Sequence, residues 1–199
     1  MRKFKRLNLT LFLTTLLFNV GIAQLNKSTI TQDVSLEIAG NYQYAIVKYI
    51  KDNGKDGEDL TAHTVNVRDL NILRKTYKSG EEDWIELDKA INRIKLKPGI
   101  YKVNAKASSY AMSYSKLVLY DVTGGKSVVN GLNHYDAGYA TVLSLNGIFE
   151  IAVESDLELQ QYTNGTRTNG GGLDVGSIIT NLNGEELYTE IEIIRLTKP

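Results

Sequence analysis

The sequence has no cysteine, only two prolines and only two histidines among its 199 residues. Without cysteine, the chain has neither a disulfide bond nor a thiol nucleophile. Two histidines alone do not supply the three or four nitrogen and sulfur ligands of a zinc site. Neither His63 nor His134 accompanies a G-x-S-x-G motif, which marks one common class of serine nucleophile. The sequence therefore predicts no catalytic residue, no metal ligand and no cofactor.

The chain also has no excess of positive or negative charge, because 23 Lys and Arg balance 23 Asp and Glu. Residues 1–23 carry four of the cations and no acid, so the rest of the chain has a net charge of about −4 with neutral histidines. Proteins that bind nucleic acid normally carry a basic surplus. The charge balance predicts no nucleic-acid partner.

The N-terminus has the pattern of a secretory signal peptide. The basic segment "MRKFKR" precedes 17 uncharged residues that end in small residues at Gly21 and Ala23. This pattern predicts export, cleavage after Ala23 and no membrane insertion of the mature chain. An uncleaved membrane anchor is the alternative, because the run of 17 residues is close to the length of about 20 that a bilayer span needs. We expect a signal peptide at 1–23, a polar lead-in at 24–42 and one domain at 43–197.

Alternation of apolar and polar residues recurs along the mature chain. In "YKVNAKA" (101–107) and "LYTEIEI" (187–193), every second residue is suited to a buried face. Turn signals separate such segments, among them "DNGKDG" at 52–57 and "NG" at 146–147. "WIEL" (84–87) is also predicted as a strand, followed by a connection. The pattern predicts an all-β, antiparallel sandwich.

Several short segments, taken in order, resemble one known domain. They are "YAIVKYIKDNGKDGED", "VNVRDLN", "WIEL", "IKLKPGIYKVNAKA", "SKLVLYDVTGG", "LELQQYTNGTRTNGGGLDV" and "EELYTEIEIIRL". Together they resemble the C-terminal jelly-roll domain of tail-fibre-like proteins from marine and cyanobacterial phages. That domain belongs to the superfamily of the tumour-necrosis-factor and complement globular-head sandwiches. The resemblance implies a jelly roll between about Tyr44 and Leu196, and it implies a homotrimer.

The three glycines at 170–172 are the first candidate for a binding loop. A phosphate-binding glycine loop opens a helix, whereas these glycines lie between the strand-like segments "LELQQY" and "GSIITNL". We interpret the loop as a flexible hairpin whose glycines supply positive φ.

Carboxylates form the next candidates. The segment "DNGKDGED" (52–59) lacks the ligand frame of a calcium loop, so a solvated turn is favoured, with a metal site as the alternative. Glu150, Glu154, Glu190 and Glu192 alternate along strands, where outward carboxylates are normally solvated. A carbohydrate-active enzyme would require two of them close together in a groove.

Tyrosine is the most distinctive residue type, with 12 copies against four Phe and one Trp. Two loop-like stretches carry Tyr110, Tyr114, Tyr135 and Tyr139, and Arg167 lies in the glycine-loop segment. These five residues are the candidate ligand contacts, weighed against packing of the tyrosines in a subunit interface or the core, which the residue type favours. The sequence thus predicts a secreted, non-enzymatic homotrimeric module that binds a cell-surface glycan or protein. The second hypothesis is a structural subunit of a phage-derived or extracellular appendage with no ligand of its own.

Overall fold

The computed structural model describes residues 43–76, 82–135, 138–174 and 184–196. These residues all belong to the compact unit Tyr42–Pro199. The predicted signal peptide and lead-in lie outside the described residues. In the described part of the chain, no helix is long and apolar enough to cross a membrane.

The described residues form twelve β-strands and no helix. The strands are β1 Gln43–Asp52, β2 Val65–Val67, β3 Ile72–Lys75, β4 Ile85–Asp88, β5 Arg93–Leu96, β6 Gly99–Tyr110, β7 Tyr114–Asp121, β8 Lys126–Asn130, β9 His134–Tyr135, β10 Ala140–Ile151, β11 Ser155–Thr163 and β12 Glu185–Leu196. The predicted strand at 84–87 is present as β4. The connection predicted after it is wrong in part, because Arg93–Leu96 pairs with both β4 and β11.

Two antiparallel sheets face each other. The first has the order β10-β6-β12-β1-β3, and the second has the order β4-β5-β11-β7-β8, with β2 added to β11 and β9 added to β7. Consecutive strands often lie in different sheets, as in a jelly roll. The predicted all-β antiparallel sandwich is confirmed.

The core lies between the sheets and follows the alternation of the sequence. In β6, Tyr101, Val103, Ala105 and Ala107 are all buried. The second sheet contributes the inward residues of β7 and β11. These are Leu117, Leu119, Leu157 and Leu159. Burial of these apolar side chains supplies the main stabilisation of a chain that has no disulfide.

The alternation fails at one position in β12. Between β1 and β12 the register shifts, so that Tyr49 lies opposite Thr189 and Ile50 lies opposite Leu187. Tyr188 is the extra residue, and such a bulge turns neighbouring side chains to the same side. Tyr188 and Thr189 are therefore both buried, whereas Leu187 is exposed.

A second departure concerns Asn146 and Gly147, which the sequence predicts as a turn. They lie instead in the middle of β10, opposite Asn104 and Val103 of β6. A Cβ atom on Gly147 would lie 2.7 Å from Cγ1 of Val129. Gly147 thus permits the close approach of β8, and the turn predicted at 146–147 is wrong.

Candidate functional site

Tyr110 and Tyr114 lie on either side of the three-residue turn that connects β6 to β7. Ala111 and Ser113 in this turn have φ values of 53° and 59°, in the left-handed region. The turn carries the chain from the first sheet to the second. Its two flanking tyrosines therefore leave the same end of the sandwich from different sheets.

Tyr114 forms a ring pair with Tyr135. The short strand β9 places Tyr135 directly opposite Tyr114, and the ring centroids are 4.8 Å apart at an angle of 42°. Asn164 fixes the backbone of Tyr114, because its Oδ1 atom accepts from Tyr114 N at 3.0 Å. Both rings are exposed, with 62% and 59% of their surface accessible. Two adjacent exposed aromatic rings form a surface suited to stacking against a ligand.

Arg167 and Tyr110 form the second contact among the predicted residues. The guanidinium carbon of Arg167 lies 4.5 Å from the centroid of the Tyr110 ring, which is a cation–π geometry. Arg167 is held by two backbone hydrogen bonds with Leu60. Tyr139 is connected to this pair through the backbone. Its carbonyl oxygen accepts a hydrogen bond from the N–H of Ala111, the residue after Tyr110, at 3.1 Å. The side chain of Tyr139 is 75% exposed.

The structure thus brings the five predicted residues to one end of the sandwich, in two groups. Tyr114 pairs with Tyr135, and Arg167 pairs with Tyr110, with Tyr139 beside the turn. Tyr114, Tyr135 and Tyr139 do not pack in the core, because all three side chains are exposed.

An open cleft of about 650 Å³ begins at Tyr114 and continues across the second sheet. Its lining includes both histidines, together with amide, amine and aromatic side chains. The lining residues are His63, Thr64, Tyr114, Ser115, Lys116, Asn133, His134, Tyr162, Thr163 and Asn164. Nε2 of His134 lies 2.8 Å from Oγ1 of Thr141, so this histidine has a hydrogen-bond partner.

Sequence reasoning missed most of this cleft. It considered the histidines only as nucleophile partners or metal ligands, and it did not single out Tyr162. The alternation in β7 and β11 was the available signal, since it places Tyr114, Lys116 and Tyr162 on the outward face. What the sequence could not show is that β2 and β9 add to this sheet. They bring His63, which lies just before β2, and His134 of β9 to the same cleft.

The glycine loop differs from its prediction. Gly172 has φ +138°, but Gly170 and Gly171 do not lie in the left-handed region. All three are buried, and an added Cβ would lie 2.7 Å from Sδ of Met112 at Gly170 and 2.5 Å from Oε2 of Glu58 at Gly171. The next described strand, β12, lies in the opposite sheet. The glycines therefore allow close packing, and the second strand of the predicted hairpin, "GSIITNL", lies outside the described residues.

The acidic turn binds this loop. Oδ2 of Asp56 accepts from Nδ2 of Asn169 at 2.6 Å, and Oδ1 of Asp56 accepts from Asp174 N at 2.8 Å. Oδ1 of Asp59 accepts from Asn169 N at 2.9 Å. In the described ranges, no group of three or more His, Cys, Asp and Glu side chains is arranged to hold a metal ion. The carboxylates of the turn are used to fix the loop.

Arg68 fixes the same loop from inside the sandwich. Its side chain is fully buried, and Nε lies 2.6 Å from Oε1 of Glu58. Nη1 donates to Oε1 of Gln161 at 2.7 Å and to the carbonyl oxygen of Ser108 at 3.0 Å, and Nη2 donates to the carbonyl oxygen of Gly171 at 3.0 Å. Burial lowers the pKa of the guanidinium, and the nearby Glu58 carboxylate opposes that shift. One charged side chain thus connects both sheets to the loops at the tyrosine-rich end.

Three of the four alternating glutamates have partners on the surface. Glu190 forms an ion pair with Lys48 at 2.7 Å, and Glu154 forms one with Lys97 at 2.6 Å. Oε2 of Glu192 accepts from Asn104 at 3.1 Å. Hydrogen bonding to Lys97 lowers the pKa of Glu154, which favours its charged form. A general acid in glycoside hydrolysis has a raised pKa, so Glu154 does not have the environment of one.

The two-sheet order is that of a jelly roll, and a solved structure of low sequence identity shares this fold. The structure of Eiger TNF from S. frugiperda is similar with a TM-score of 0.51 at 9% identity, over 79% of this chain and 94% of that one. The globular domain of zebrafish complement 1qA has a TM-score of 0.44 at 12% identity, over 79% and 98%. Murine APRIL has a TM-score of 0.47 at 7% identity, over 78% and 100%. Neither a family model nor a curated protein matches the chain by sequence.

Proposed function

We propose that this chain is a secreted, non-enzymatic binding module that acts as a homotrimer and recognises an extracellular ligand at its tyrosine-rich end. The observation that carries the proposal is the exposed Tyr114–Tyr135 ring pair at the entrance of the open cleft. A sandwich with rigid sheets and functional loops at one end is a common arrangement for binding modules.

A cell-surface glycan is the ligand class that fits this end best. Sugars present an apolar face to aromatic rings and hydroxyl groups to amides and amines. The cleft combines Tyr114 and Tyr162 with the side chains of Asn133, Asn164 and Lys116. Tyr offers a large contact area at a low cost in conformational entropy, and Asn offers adaptable hydrogen bonding. A protein surface rich in hydroxyl and amide groups is the second ligand class.

The Arg167–Tyr110 contact adds a charged group at the same end of the sandwich. Because the guanidinium already lies on the Tyr110 ring, its N–H groups are directed by that contact. Arg167 is exposed, so those donors remain accessible to a ligand. We assign Arg167, Tyr110 and Tyr139 to the rim of the binding surface and Tyr114 and Tyr135 to its centre.

The first sheet supports the homotrimer. In β10, Leu143 and Leu145 face the core, whereas Val142 and Ile148 face outward and are more than half exposed. Leu132, beside the same edge of the sandwich, is also exposed. Exposed apolar side chains of this kind are suited to contact with another copy of the chain. Three copies would also raise the affinity of a weak single site by avidity.

Light scattering on residues 24–199 tests the assembly. We expect the mass of three chains, and a monomer would contradict the trimer. A trimer that forms ordered polymers and binds no glycan or cell surface would favour the structural subunit of an appendage. Binding to glycans is tested separately with tyrosine variants, because a trimer and a ligand site are independent claims.

A further inference from the structure

Two polar side chains on the outward face of the second sheet are almost inaccessible to solvent. Leu157, Leu159 and Gln161 of β11 face the core, so Glu158 and Gln160 lie on the opposite face. Nevertheless only 9% of Glu158 and 4% of Gln160 is exposed. Buried polar groups are normally hydrogen-bonded, and these two form part of a continuous array.

The array runs along β11 and ends at the cleft. Nε of Arg93 donates to Oε1 of Glu158 at 2.9 Å. Nε2 of Gln160 donates to Oε2 of Glu158 at 2.9 Å. The hydroxyl of Tyr162 donates to Oε1 of Gln160 at 3.1 Å. Arg93, Glu158, Gln160 and Tyr162 are thus connected in one line.

The chemistry of these groups allows only one direction for the hydrogen bonds. The carboxylate of Glu158, paired with Arg93, only accepts hydrogen bonds. Gln160 must therefore turn its NH2 group toward Glu158, which leaves its carbonyl oxygen toward Tyr162. That oxygen also only accepts, so the hydroxyl hydrogen of Tyr162 is used within the protein.

Tyr162 is 40% exposed and lines the cleft beside Tyr114. Its hydroxyl hydrogen is engaged with Gln160, so a ligand that reaches the hydroxyl meets only lone pairs. A hydrogen bond from Tyr162 to a ligand would require breaking the bond to Gln160 and leaving a nearly buried carbonyl oxygen without a partner, which is costly.

We propose that Tyr162 is a specificity-determining residue of the cleft, selecting ligands that place an O–H or N–H donor against its hydroxyl oxygen. Glu158 and Gln160 are the positioning residues that set this selectivity. The inference rests on the proposed ligand-binding role of the cleft and names the ligand chemistry there. A sugar hydroxyl satisfies the requirement, whereas an ether, a fluorine or an ionised carboxylate at that position does not.

Monofluorinated sugars test the selection directly, because a C–F group cannot donate a hydrogen bond. The probes are the methyl pyranosides of β-galactose, β-glucose and α-mannose, each with analogues in which one hydroxyl is replaced by fluorine. Affinities are measured by ligand-observed NMR titration of the protein and of its Tyr162→Phe variant. For the best parent sugar we expect one analogue to bind about tenfold more weakly to the protein, corresponding to one lost hydrogen bond. Tyr162→Phe should bind that analogue and the parent equally.

The control is Tyr120→Phe, since Tyr120 lies opposite Glu158 on β7 but is not among the cleft-lining residues. This variant should keep the tenfold discrimination. If the sugars bind and Tyr162→Phe discriminates as strongly as the unmodified protein, the role of Tyr162 is overturned while glycan binding stands. If no sugar binds, the proposed glycan recognition is overturned and selection by Tyr162 falls with it.

The direction of the array has its own readout, which needs no ligand. In an NMR spectrum of the unliganded protein, the Gln160 side-chain NH2 protons should show weak cross-relaxation with the Tyr162 ring. A reversed amide would place these protons against the Tyr162 hydroxyl and give strong cross-peaks. Strong cross-peaks would overturn the polarity on which the selection depends.

Discussion

The guanidinium of Arg68 and the carboxylate of Glu58 form an ion pair inside the sandwich, with Nε and Oε1 2.6 Å apart. Arg68 extends the pairing of β2 with β11, since its backbone N donates to the carbonyl oxygen of Leu159. Glu58 lies in the acidic turn and contacts Gly171. The pair therefore connects a strand of the second sheet to two loops at the tyrosine-rich end.

Removal of one member of this pair should be strongly destabilising. We expect Arg68→Met to lower the free energy of unfolding by about 3–5 kcal/mol, because Glu58 would keep a largely buried charge without its partner. The double variant Glu58→Gln/Arg68→Met should recover part of that loss. Urea unfolding measures both. Lys48→Met is the control, since its exposed pair with Glu190 is worth only about 1 kcal/mol or less. Equal effects at the two sites would contradict the buried role of Arg68.

Gly171 should not tolerate a methyl group. An alanine Cβ would lie 2.5 Å from Oε2 of Glu58 and 2.9 Å from Glu58 N, so backbone would have to move. We expect Gly171→Ala to cost about 1–3 kcal/mol, in the range of overpacked sites. Gly184→Ala is the matched control, because no atom lies within 4 Å of its added Cβ. Thermal unfolding measures the stability of both variants. A Gly171→Ala variant as stable as the unmodified protein would contradict the close packing of this loop.

Tyr101 should make stability fall at high pH. Burial raises the pKa of Tyr101 from 10.0 to about 12 in the folded protein. Between these values the unfolded chain loses the phenolic proton while the folded chain keeps it. The stability that the raised pKa provides is complete below pH 10 and is lost as the pH rises toward 12, with a slope of at most about 1.4 kcal/mol per pH unit.

The measurement is urea unfolding between pH 9 and pH 12 for the protein, Tyr101→Phe and Tyr139→Phe. Tyr101→Phe should show a shallower decline, whereas the exposed Tyr139→Phe should follow the unmodified protein. Identical slopes for all three proteins would remove Tyr101 as the cause.

Part of this fold could be predicted from the sequence. The alternation in β6 predicted Tyr101, Val103, Ala105 and Ala107 as a buried face, and all four are buried. The alternation in β12 failed at Tyr188, because a bulge depends on pairing with β1 and leaves no local pattern. Gly147 was misinterpreted for a similar reason. A turn and a site of close packing both use glycine, and only the position of Val129 distinguishes them.

The candidate site was predicted less completely. Tyr110, Tyr114, Tyr135, Tyr139 and Arg167 lie at one end, but their roles as ligand contacts remain predictions. Arg68 was noted only within the segment "VNVRDLN", since nothing local shows that its partners come from distant loops. The array through Glu158 and Gln160 was not predicted because the local pattern indicates exposed side chains. A strand with alternating polar residues normally exposes them, and burial of this outward face depends on neighbouring strands.

The proposed homotrimer makes a prediction for β10. A lysine at Ile148 would place a charge on the outward face of β10, which we expect three copies to bury. We therefore expect Ile148→Lys to be a folded monomer by light scattering and circular dichroism. Val65→Lys is the control, because Val65 is exposed on β2 of the other sheet. A trimeric Ile148→Lys would place the subunit interface elsewhere.

Binding of the mature chain to a printed glycan array tests the central claim most directly. The protein, Tyr114→Ala, Tyr135→Ala and Ile91→Ala are compared at equal concentration, with Ile91 serving as an exposed apolar residue in the connection between β4 and β5. The account predicts selective binding by the protein and by Ile91→Ala. Both tyrosine variants should lose about tenfold or more in affinity, since stacking residues at the centre of a site carry at least about 1–2 kcal/mol of binding free energy. Equal binding by all four proteins would contradict the tyrosine-lined site, and no binding by any of them would contradict glycan recognition.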